Sequence, residues 1–468
     1  MSKVQIQEYF KAKFSGKTIC LLGFGREGKS SYRALRHFVN DINIIVSDSN
    51  PRCKDEFTAE FGVDSNVRFY CGEGFLNPII QSDIIIKSPG VSLKVLTGFD
   101  VASKITSQTE LFLELFRDQV IGVTGTKGKS TTVSLLYKIL KNAGKDTLLG
   151  GNIGVPPLDF LDKITPETLL VFEMSSHQLE NIRVSPKLAV LLNVFQEHLD
   201  HYESYRDYQL AKFNIARWQK PGDVFICNGE NEILRGLLSE YPLESTQMII
   251  HYNPSDKSGA RFQDNHLIID DGSGEICFEN FCHRRKLPGE HNLTNILAAA
   301  MAAYIKGIDP EIIRKTTEAF EGLPHRLEYI GERYGARFYN DSISTIPEST
   351  IEALKTFPDV YTLLLGGFDR GVDYSSLVSY LQNHPVKKIL FLGKAGQRIA
   401  KELLSLDELN VAMLFQDFES AVKAAINITP IGAICLLSPA AASYDMFRNF
   451  EHRGEKFRQM ILEKDSPA

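Results

Sequence analysis

The residues best placed to do chemistry lie in the run Thr124–Thr132, which reads Thr-Gly-Thr-Lys-Gly-Lys-Ser-Thr-Thr. An apolar segment precedes this run and a helical pattern of leucine and isoleucine follows it, which indicates a strand that turns through glycines into a helix. The backbone N–H groups of such a turn, with a helix N-terminus behind them, bind anions. Lys129 would reach the β- and γ-phosphates, and Ser130 would bind Mg²⁺. The spacing is shorter than the full Walker A pattern, so the run predicts a nucleoside triphosphate site, with a plain glycine turn before an ordinary helix as the alternative.

A second glycine turn follows the first predicted strand, Thr18–Leu22, and contains Gly23, Gly25 and Gly28. The next predicted strand leads to Asp48, which lies 20 residues after Gly28. Glycines let the backbone approach a diphosphate, and an acid at this distance can bind a ribose hydroxyl. The pattern indicates a dinucleotide such as NAD, but a UDP-sugar satisfies the same chemistry. These residues alone leave the choice open.

Two polar side chains follow strands predicted in the middle of the chain. Glu173 comes directly after the strand 169–172, and His198 follows the strand 188–194. Because the carboxyl ends of parallel strands meet at one edge of a sheet, both are expected at the edge that bears the phosphate loop. A carboxylate and an imidazole can both ligate Mg²⁺, although imidazole is a minority ligand for this cation. Helix capping by the two residues is the alternative.

Three further side chains lie near predicted helix starts. Lys212 lies in the run 205–214, which begins one helix, and Asn292 and Asn295 open an alanine-rich one. A lysine in this setting is most often solvated. Two amides one helical turn apart can bind the edge of a purine, whereas capping explains Asn292 equally well when it is taken alone.

The order of the predicted elements indicates an α/β fold with parallel sheets, since strands alternate with helices and finish at glycine, serine or acidic residues. At 468 residues the chain is long enough for about three domains of roughly 150 residues each. Hinges are expected near residues 103–108 and near Gly322. The predicted domains are therefore 1–107, 108–322 and 323–468.

Composition excludes several classes of function. The formal net charge of −6 gives no electrostatic case for nucleic acid or an anionic membrane. We expect no signal peptide, because residues 1–10 are polar, and no membrane insertion, because no apolar run is long enough. The seven cysteines are odd in number and contain no Cys-x-x-Cys pair, which favours a reducing compartment, the cytoplasm. Cys277 with Cys282 and His283 is a weak alternative as a metal fragment.

Several short motifs, taken in order, resemble those of one enzyme family. They are Thr124-Gly-Thr-Lys-Gly-Lys-Ser-Thr, Gly151-Asn-Ile-Gly, Glu173-Met-Ser-Ser, His198-Leu-Asp, Ala211-Lys212, His291-Asn-x-x-Asn295, Leu323-Pro-His-Arg, Asn340-Asp-Ser and Leu437-Ser-Pro. This order is similar to that of the Mur ligases, and the likeness runs from about Gly23 to Gly454. No single motif is specific, but the set is.

The resemblance implies three domains, each with a largely parallel sheet: a Rossmann-like N-terminal domain for a UDP-sugar peptide, a central P-loop ATPase and a Rossmann-like C-terminal domain for the incoming amino acid. It implies an ATP- and Mg²⁺-dependent, ADP-forming ligase of peptidoglycan precursor synthesis that works through an acyl phosphate. The substrates would be UDP-N-acetylmuramoyl-L-alanine and glutamate, with D-glutamate expected and L-glutamate as the alternative. A monomer is expected.

The same resemblance implies roles for individual residues. The residues implied to bind ATP are Gly125, Thr126, Lys127, Gly128, Lys129, Ser130, Thr131, Asn292, Asn295, His325, Arg326 and Asp341. Those implied to bind the UDP-sugar are Gly23, Gly25, Arg26, Asp48, Ser88, Gly90 and Asn152. Those implied to bind glutamate are Thr345, Arg370, Ser443 and Phe450. The implied metal ligands are Ser130, Glu173, His198 and Lys212 as a carbamate, and the implied catalytic residues are Lys129, Glu173, His198 and Lys212.

The sequence departs from the family pattern at Glu197, where the family has aspartate, and at His177, where it has an apolar or aromatic residue. Ile343 and Ile346 replace a lysine and an asparagine, which leaves the stereochemistry of the amino acid open. An NAD-dependent oxidoreductase is the rival enzyme class, but it leaves the Lys129 loop unexplained. A non-catalytic nucleotide-binding module leaves Glu173 and Lys212 without a role.

Overall fold

The computed structural model describes residues 3–39, 41–152, 155–197, 201–251, 259–272, 274–405 and 413–463, with the backbone alone at 247–251 and 291. Two compact units are present. The first comprises Met1–Arg285 and His291–Ala319, and the second comprises Lys286–Glu290 and Phe320–Ala468.

The first unit contains a five-stranded parallel sheet in the order β3-β2-β1-β4-β5. Its strands are β1 Thr18–Leu22, β2 Asn43–Asp48, β3 Val67–Cys71, β4 Ile84–Lys87 and β5 Ile105–Thr106, and its helices are α1 Lys3–Phe14, α2 Arg26–Phe38 and α3 Cys53–Phe61. Successive residues of β1 enter two different apolar clusters: Ile19 and Leu21 one, Cys20 and Leu22 the other. A strand buried on both faces reads as a continuous apolar run, as this one does.

The same unit contains a nine-stranded sheet in the order β14-β13-β12-β11-β10-β9-β6-β8-β7. Its strands are β6 Val120–Thr124, β7 Thr147–Gly151, β8 Leu169–Glu173, β9 Leu188–Leu191, β10 Val224–Asn228, β11 Thr246–His251, β12 Gly259–Gln263, β13 His266–Asp270 and β14 Glu275–Phe278. The helices are α4 Gln108–Phe116, α5 Lys129–Asn142, α6 Ser176–Leu179, α7 Tyr205–Arg217, α8 Glu232–Glu240, α9 Phe281–Arg284, α10 His291–Ile305 and α11 Pro310–Ala319. The sheet is parallel from β7 to β12, and β13 and β14 add an antiparallel edge.

The second unit contains a six-stranded sheet in the order β15-β16-β20-β17-β18-β19, parallel except for the pair β15–β16. Its strands are β15 Glu328–Arg333, β16 Ala336–Asn340, β17 Val360–Gly366, β18 Lys388–Leu392, β19 Met413–Phe415 and β20 Ile434–Leu437. The helices are α12 Pro347–Thr356, α13 Ser375–Asn383, α14 Gly393–Leu403, α15 Phe418–Ile428 and α16 Phe450–Leu462. Leu363 and Leu365 of β17 pack into one core cluster and Leu364 packs into the other.

The predicted α/β fold with largely parallel sheets is confirmed. The domain limits at 107/108 and 322/323 stay predictions. One feature of the first sheet was missed: Cys53 and Cys71 form a disulfide that joins the start of α3 to the end of β3. Among the described helices, none combines the length and the apolar character needed to cross a bilayer.

Candidate functional site

The glycine turn between β6 and α5 has the conformation that its sequence requires. Gly128 caps α5 in the left-handed region, at φ 87°, and a Cβ built there would clash with the side-chain oxygen of Asn295. Glycine satisfies both constraints without strain. The Thr124 hydroxyl, at the end of β6, donates to the carbonyl of Met174 over 2.7 Å, so the turn is tied to the residue that follows β8.

The turn is braced on its other side by residues beyond β9 and by α7. The N–H of Lys127 donates to Asn193 Oδ1 over 2.9 Å, and its ammonium pairs with Glu197 at 2.5 Å. The hydroxyls of Thr126 and Tyr208 are hydrogen-bonded at 2.8 Å in a buried position. The loop is therefore fixed by side chains from two neighbouring elements.

Two lysines meet at the phosphate-binding turn. Lys129 Nζ donates to the carbonyls of Gly125 and Thr126 over 2.9 and 3.1 Å, and Lys212 Nζ donates to the carbonyl of Gly125 over 2.9 Å. Lys212 is only 2% exposed, so it is not the solvated lysine that is usual in such a helix. Burial lowers the pKa of the Lys212 amine well below its ordinary value, and the positive charge of Lys129 lowers it further. The surroundings therefore favour a neutral amine at Lys212.

Glu173 lies at the end of β8 with 1% exposure. Its Oε1 accepts a hydrogen bond of 2.7 Å from Asn152 Nδ2, whereas its buried Oε2 has no hydrogen-bond partner among the described residues. A buried carboxylate oxygen in that state is costly unless a cation or donor reaches it. Gly151 allows the contact, since a Cβ at its φ of 100° would strike the Glu173 carbonyl. This oxygen therefore fits a metal ligand, and Asn152, implied to bind the UDP-sugar, contacts Glu173.

The proposed metal set is described only in part. Ser130 is half-buried in the first turn of α5, while His198 lies outside the described residues. Within the described ranges no three His, Cys, Asp or Glu side chains cluster as a metal site. The structural case for a cation thus rests on Glu173 Oε2 and on Lys212, the pKa of which is lowered by burial.

Asn292 and Asn295 are buried in α10 beside the start of α5. Asn295 Nδ2 donates to Asn292 Oδ1 over 2.9 Å, and Asn295 Oδ1 accepts from the Thr132 hydroxyl over 3.4 Å. Thr131 is also buried in this turn of α5. The two amides therefore adjoin the phosphate-binding turn, as their assignment to ATP requires.

The glycine turn after β1 is closed by backbone contacts. A Cβ at Gly28 would clash with the carbonyl of Gly23, so α2 can approach β1 only through a glycine. The Ser88 hydroxyl donates to the Gly23 carbonyl over 2.7 Å, while Asp48 Oδ2 accepts from the N–H of Phe24 over 2.6 Å. Asp48 thus braces the turn in addition to any ligand contact.

The residues implied to bind the UDP-sugar around this turn differ in their exposure and in their contacts. Gly25 and Gly90 are exposed, with open space where a Cβ would lie. Arg26 Nη2 donates to the carbonyl of Asn152 over 3.2 Å. The exposed glycines offer backbone to a ligand, and Arg26 connects the turn to the end of β7.

In the second unit, Asp341 is buried at the end of β16. It accepts hydrogen bonds from the Ser438 hydroxyl over 2.7 Å and from the N–H of Leu327 over 3.2 Å, and burial raises its pKa to about 6. His325 Nδ1 lies 2.9 Å from Asn340 Nδ2. Arg326 is half-buried in the same turn. These residues, assigned to ATP, are thus held at the carboxyl ends of β16 and β20.

The residues implied to bind glutamate lie in the same unit: Thr345, Arg370 and Ser443 on loops, and Phe450 at the first position of α16. Arg370 is exposed, and its Nη2 donates weakly to the carbonyl of Thr345 at 3.4 Å. The carbonyl of Phe450 accepts from the Ser342 hydroxyl over 2.8 Å, and Ser443 is buried. These contacts place Arg370 beside Thr345, and Phe450 beside the Asp341 loop.

Two arginines that sequence reasoning missed hold these loops in place. Arg453, 2% exposed, donates to the Ser342 carbonyl over 2.8 Å and to the Ala441 carbonyl over 3.1 Å, and burial lowers its pKa to about 10. Arg398 binds both oxygens of Asp369, next to Arg370, over 2.9 and 3.0 Å. An arginine in a helix usually indicates a solvated face, so no sequence signal distinguished them.

Known proteins similar to this chain share both its sequence pattern and its fold. Residues 123–303 match the Mur ligase middle domain. UDP-N-acetylmuramoylalanine–D-glutamate ligase from Acetivibrio thermocellus is 34% identical, with 97% of each chain covered. The protein of that name from Ruminiclostridium cellulolyticum is 32% identical, covering 97% of this chain and 98% of its own. MurF from Acinetobacter baumannii superposes with a TM-score of 0.57 at 18% identity, covering 97% of this chain and 92% of its own.

Proposed function

The chain belongs to the Mur ligase family, and we propose that it is the ATP-dependent ligase that joins D-glutamate to UDP-N-acetylmuramoyl-L-alanine. Both sequence relatives described above carry that activity in their names. Membership of a ligase family removes the NAD-dependent oxidoreductase from consideration. The observation that carries the proposal is the meeting of Lys129, Lys212 and Glu173 around the phosphate-binding turn.

The first chemical step joins a carboxylate oxygen of the muramoyl-alanine to the γ-phosphorus of ATP. The bond from this phosphorus to the β–γ bridging oxygen breaks, and ADP leaves. Phosphoryl transfer depends on positioning and on neutralising charge. Lys129 is held at the turn by two carbonyls, so its ammonium can stabilise the charge that develops on the phosphates.

In the second step the amine of D-glutamate attacks the acyl carbon. The bond from this carbon to the phosphate oxygen breaks, phosphate leaves, and the nitrogen loses a proton. We assign the glutamate carboxylates to the loops that carry Arg370 and Ser443, because a guanidinium binds a carboxylate through two hydrogen bonds. Ile343 lies two residues before Thr345, whose carbonyl accepts from Arg370. An apolar side chain there disfavours a misplaced carboxylate, since burying one unpaired is costly.

Mg²⁺, when bound, would offset the repulsion between the acceptor carboxylate and the γ-phosphate. We propose that Ser130, Glu173 and His198 hold it, with Lys212 as a carbamate. The unpartnered Glu173 Oε2 and the lowered pKa of Lys212 support this set, because carbamate formation starts from a neutral amine.

We further propose that the enzyme acts in the cytoplasm as a monomer on this one nucleotide-linked substrate. All the residues assigned to ATP, UDP-sugar and glutamate lie on a single chain. Size-exclusion chromatography with light scattering tests the oligomeric state, and a dimer mass would contradict it.

Phosphate release tests the function directly. The enzyme is given ATP, Mg²⁺ and UDP-N-acetylmuramoyl-L-alanine with D-glutamate, L-glutamate, D-aspartate, L-alanine or L-lysine. We expect phosphate release with D-glutamate and little with the others, and Ile343→Lys tests whether that loop sets the preference. Faster turnover with L-glutamate would overturn the D assignment, and no release with any amino acid would overturn the ligase.

A further inference from the structure

A buried ion pair outside the phosphate site joins the first sheet of the first unit to the segment that follows β8 of the second sheet. Lys87 is the last residue of β4 and is 1% exposed, and its Nζ lies 3.0 Å from Glu180 Oε2. The same ammonium donates to the carbonyl of Val91 over 2.8 Å, within the turn that follows β4. That turn contains Ser88 and Gly90, both assigned to the UDP-sugar. Glu180 therefore binds the residue, Lys87, from which a proposed substrate turn begins.

A second buried contact connects the other proposed substrate turn to the same segment. Gln178 Nε2 donates to Glu27 Oε1 over 2.7 Å. Glu27 lies in the first turn of α2, between Gly25 and Gly28, and Gln178 is 2% exposed. Residues 175–180, which we call the bridging segment, thus contact both turns at the end of the first sheet.

The bridging segment is fixed to the phosphate site at its other end. It begins two residues after Glu173, and a capping box between Ser175 and Gln178 sets its conformation. Between them, the N–H of Met174 donates to the Val123 carbonyl over 2.9 Å, and the Met174 carbonyl accepts from Thr124. A short, internally bonded segment therefore connects the UDP-sugar turns to Glu173 and to the strand that carries the phosphate-binding turn.

A third contact runs from the β4 turn to the loop after β9. The Ser92 hydroxyl donates to the His201 carbonyl over 2.6 Å, and His201 Nε2 lies 3.4 Å from Glu180 Oε1. Glu180 thus faces both Lys87 and His201. All three contacts connect the proposed UDP-sugar turns to segments near the phosphate site, so together they can fix the spacing between the two ligand sites.

Stability alone does not explain the Lys87–Glu180 pair. Removing two charges from water offsets most of their mutual attraction, and apolar replacements of buried pairs are often neutral or stabilising. The location of the pair between the two proposed ligand sites does explain it. The UDP group is assigned to the first sheet and ATP to the second, and the reacting atoms must approach within about 3–3.5 Å. An error of about 1 Å in that spacing can slow a reaction by about a hundredfold.

We propose that Lys87 and Glu180, supported by Glu27 and Gln178, are positioning residues that set the distance from the UDP-sugar turns to the phosphate site. None of the four is assigned a contact with ATP or with the reacting carboxylate. This inference rests on the proposed ligase activity, because only a reaction between ligands of the two sheets needs a fixed spacing.

The test is the double variant Lys87→Met/Glu180→Leu. We expect a melting temperature equal to or above that of the wild type, and dissociation constants for UDP-N-acetylmuramoyl-L-alanine and a non-hydrolysable ATP analogue within about threefold of it. We expect kcat with D-glutamate to fall by about a hundredfold at saturating substrates. Loss of kcat with binding and stability retained is a result that a purely structural role would not produce.

The matched control is Arg33→Met/Asp159→Leu. This pair, with Nη2 and Oδ2 3.0 Å apart, joins α2 to the region after β7. Among the described residues, its other polar contacts go to Ser30 and Glu60 and not to the substrate turns. We expect its kcat to match that of the wild type. A kcat for the Lys87/Glu180 variant within threefold of wild type, or an equal loss in the control, would overturn the proposal.

Two milder variants are measured if the double variant does not fold. Lys87→Arg keeps the charge and should retain most of kcat, whereas Glu27→Gln keeps the shape, weakens the second contact and should lower kcat about tenfold. The opposite ranking would contradict the positioning role. Wild-type turnover is measured first, so absence of ligase activity there would refute the proposed function and not this inference.

Discussion

Two glycine turns of the first unit each connect a parallel strand to a helix, but they differ in backbone conformation and in charge: the residue before α2, Gly25, is extended, whereas the residue before α5, Gly128, is left-handed. The turn after β1 is closed by contacts among Gly23, Gly28 and Ser88, and the bridging segment presents a glutamine to it. The turn after β6 holds two lysine side chains on one carbonyl, that of Gly125. Backbone N–H groups suffice to hold a diphosphate that does not react. The lysines are needed where charge moves during transfer.

The largest expected effect is that of Lys129→Ala. Removing the ammonium leaves the developing charge on the phosphates without its cation, so we expect phosphate release with D-glutamate to fall at least about a thousandfold. Lys141→Ala, an exposed change near the other end of α5, is the control and should retain full turnover. Substantial turnover by folded Lys129→Ala would remove the distinction between the two turns.

Lys212→Ala should also be inactive. If Lys212 acts as a carbamate, a small carboxylic acid can occupy the vacated space and supply the missing anion, so we expect partial recovery of phosphate release as acetate or propionate is added. The same acids should not rescue Lys129→Ala, where a cation is missing. Undiminished activity of Lys212→Ala would show that this lysine has no chemical role.

The next effect is structural and belongs to the turn after β1. In Gly28→Ala the new methyl group would meet the carbonyl of Gly23, and we expect a loss of about 1–3 kcal/mol in the free energy of urea unfolding. Gly25→Ala, at φ −73° with open space around it, is the matched control and should lose less than about 0.5 kcal/mol. Equal losses would mean that Gly28 is not a packing requirement.

The smallest expected effect is a pH dependence of stability caused by Lys212. Its folded pKa is below its unfolded value, so between the two the unfolded state binds more protons and stability rises with pH. Lys212→Met has no titrating amine at this position and therefore lacks this pH dependence of stability. We therefore expect wild type to gain stability relative to Lys212→Met from pH 7 to 9, by at most about 1.4 kcal/mol per pH unit. If the free energies of urea unfolding of the two proteins changed in parallel with pH, the pKa of Lys212 would not be lowered in the folded protein.

Much of the fold could be predicted because its central strands are fully buried apolar runs. The predicted bounds of β1 agree with the structure, since a charged residue, Lys17, and Gly23 flank the run. The hairpin of β12 and β13 was missed, although Asp264 and Asn265 between its strands both have positive φ. Short strands with polar alternation are weak signals, and this turn pair was the cue that remained unused.

The site residues that could be predicted are those that belong to short motifs, local in the sequence. Strand ends identified Glu173, because parallel strands bring such residues to one edge. Contacts between distant segments have no local pattern, which is why the disulfide of Cys53 and Cys71, the Asn152–Glu173 bond and the Lys87–Glu180 pair were missed. The role of His198 stays a prediction.

We assign binding of the UDP-sugar to the turn after β1 and action in phosphoryl transfer to the turn after β6. This assignment is tested most directly by titrating UDP-N-acetylmuramoyl-L-alanine calorimetrically into folded Lys129→Ala protein. The two ligands are assigned to different sheets, and Lys129 acts on charge that develops during transfer. The account predicts a dissociation constant within about threefold of wild type in a protein that releases no phosphate. Loss of UDP-sugar binding in that variant would contradict it.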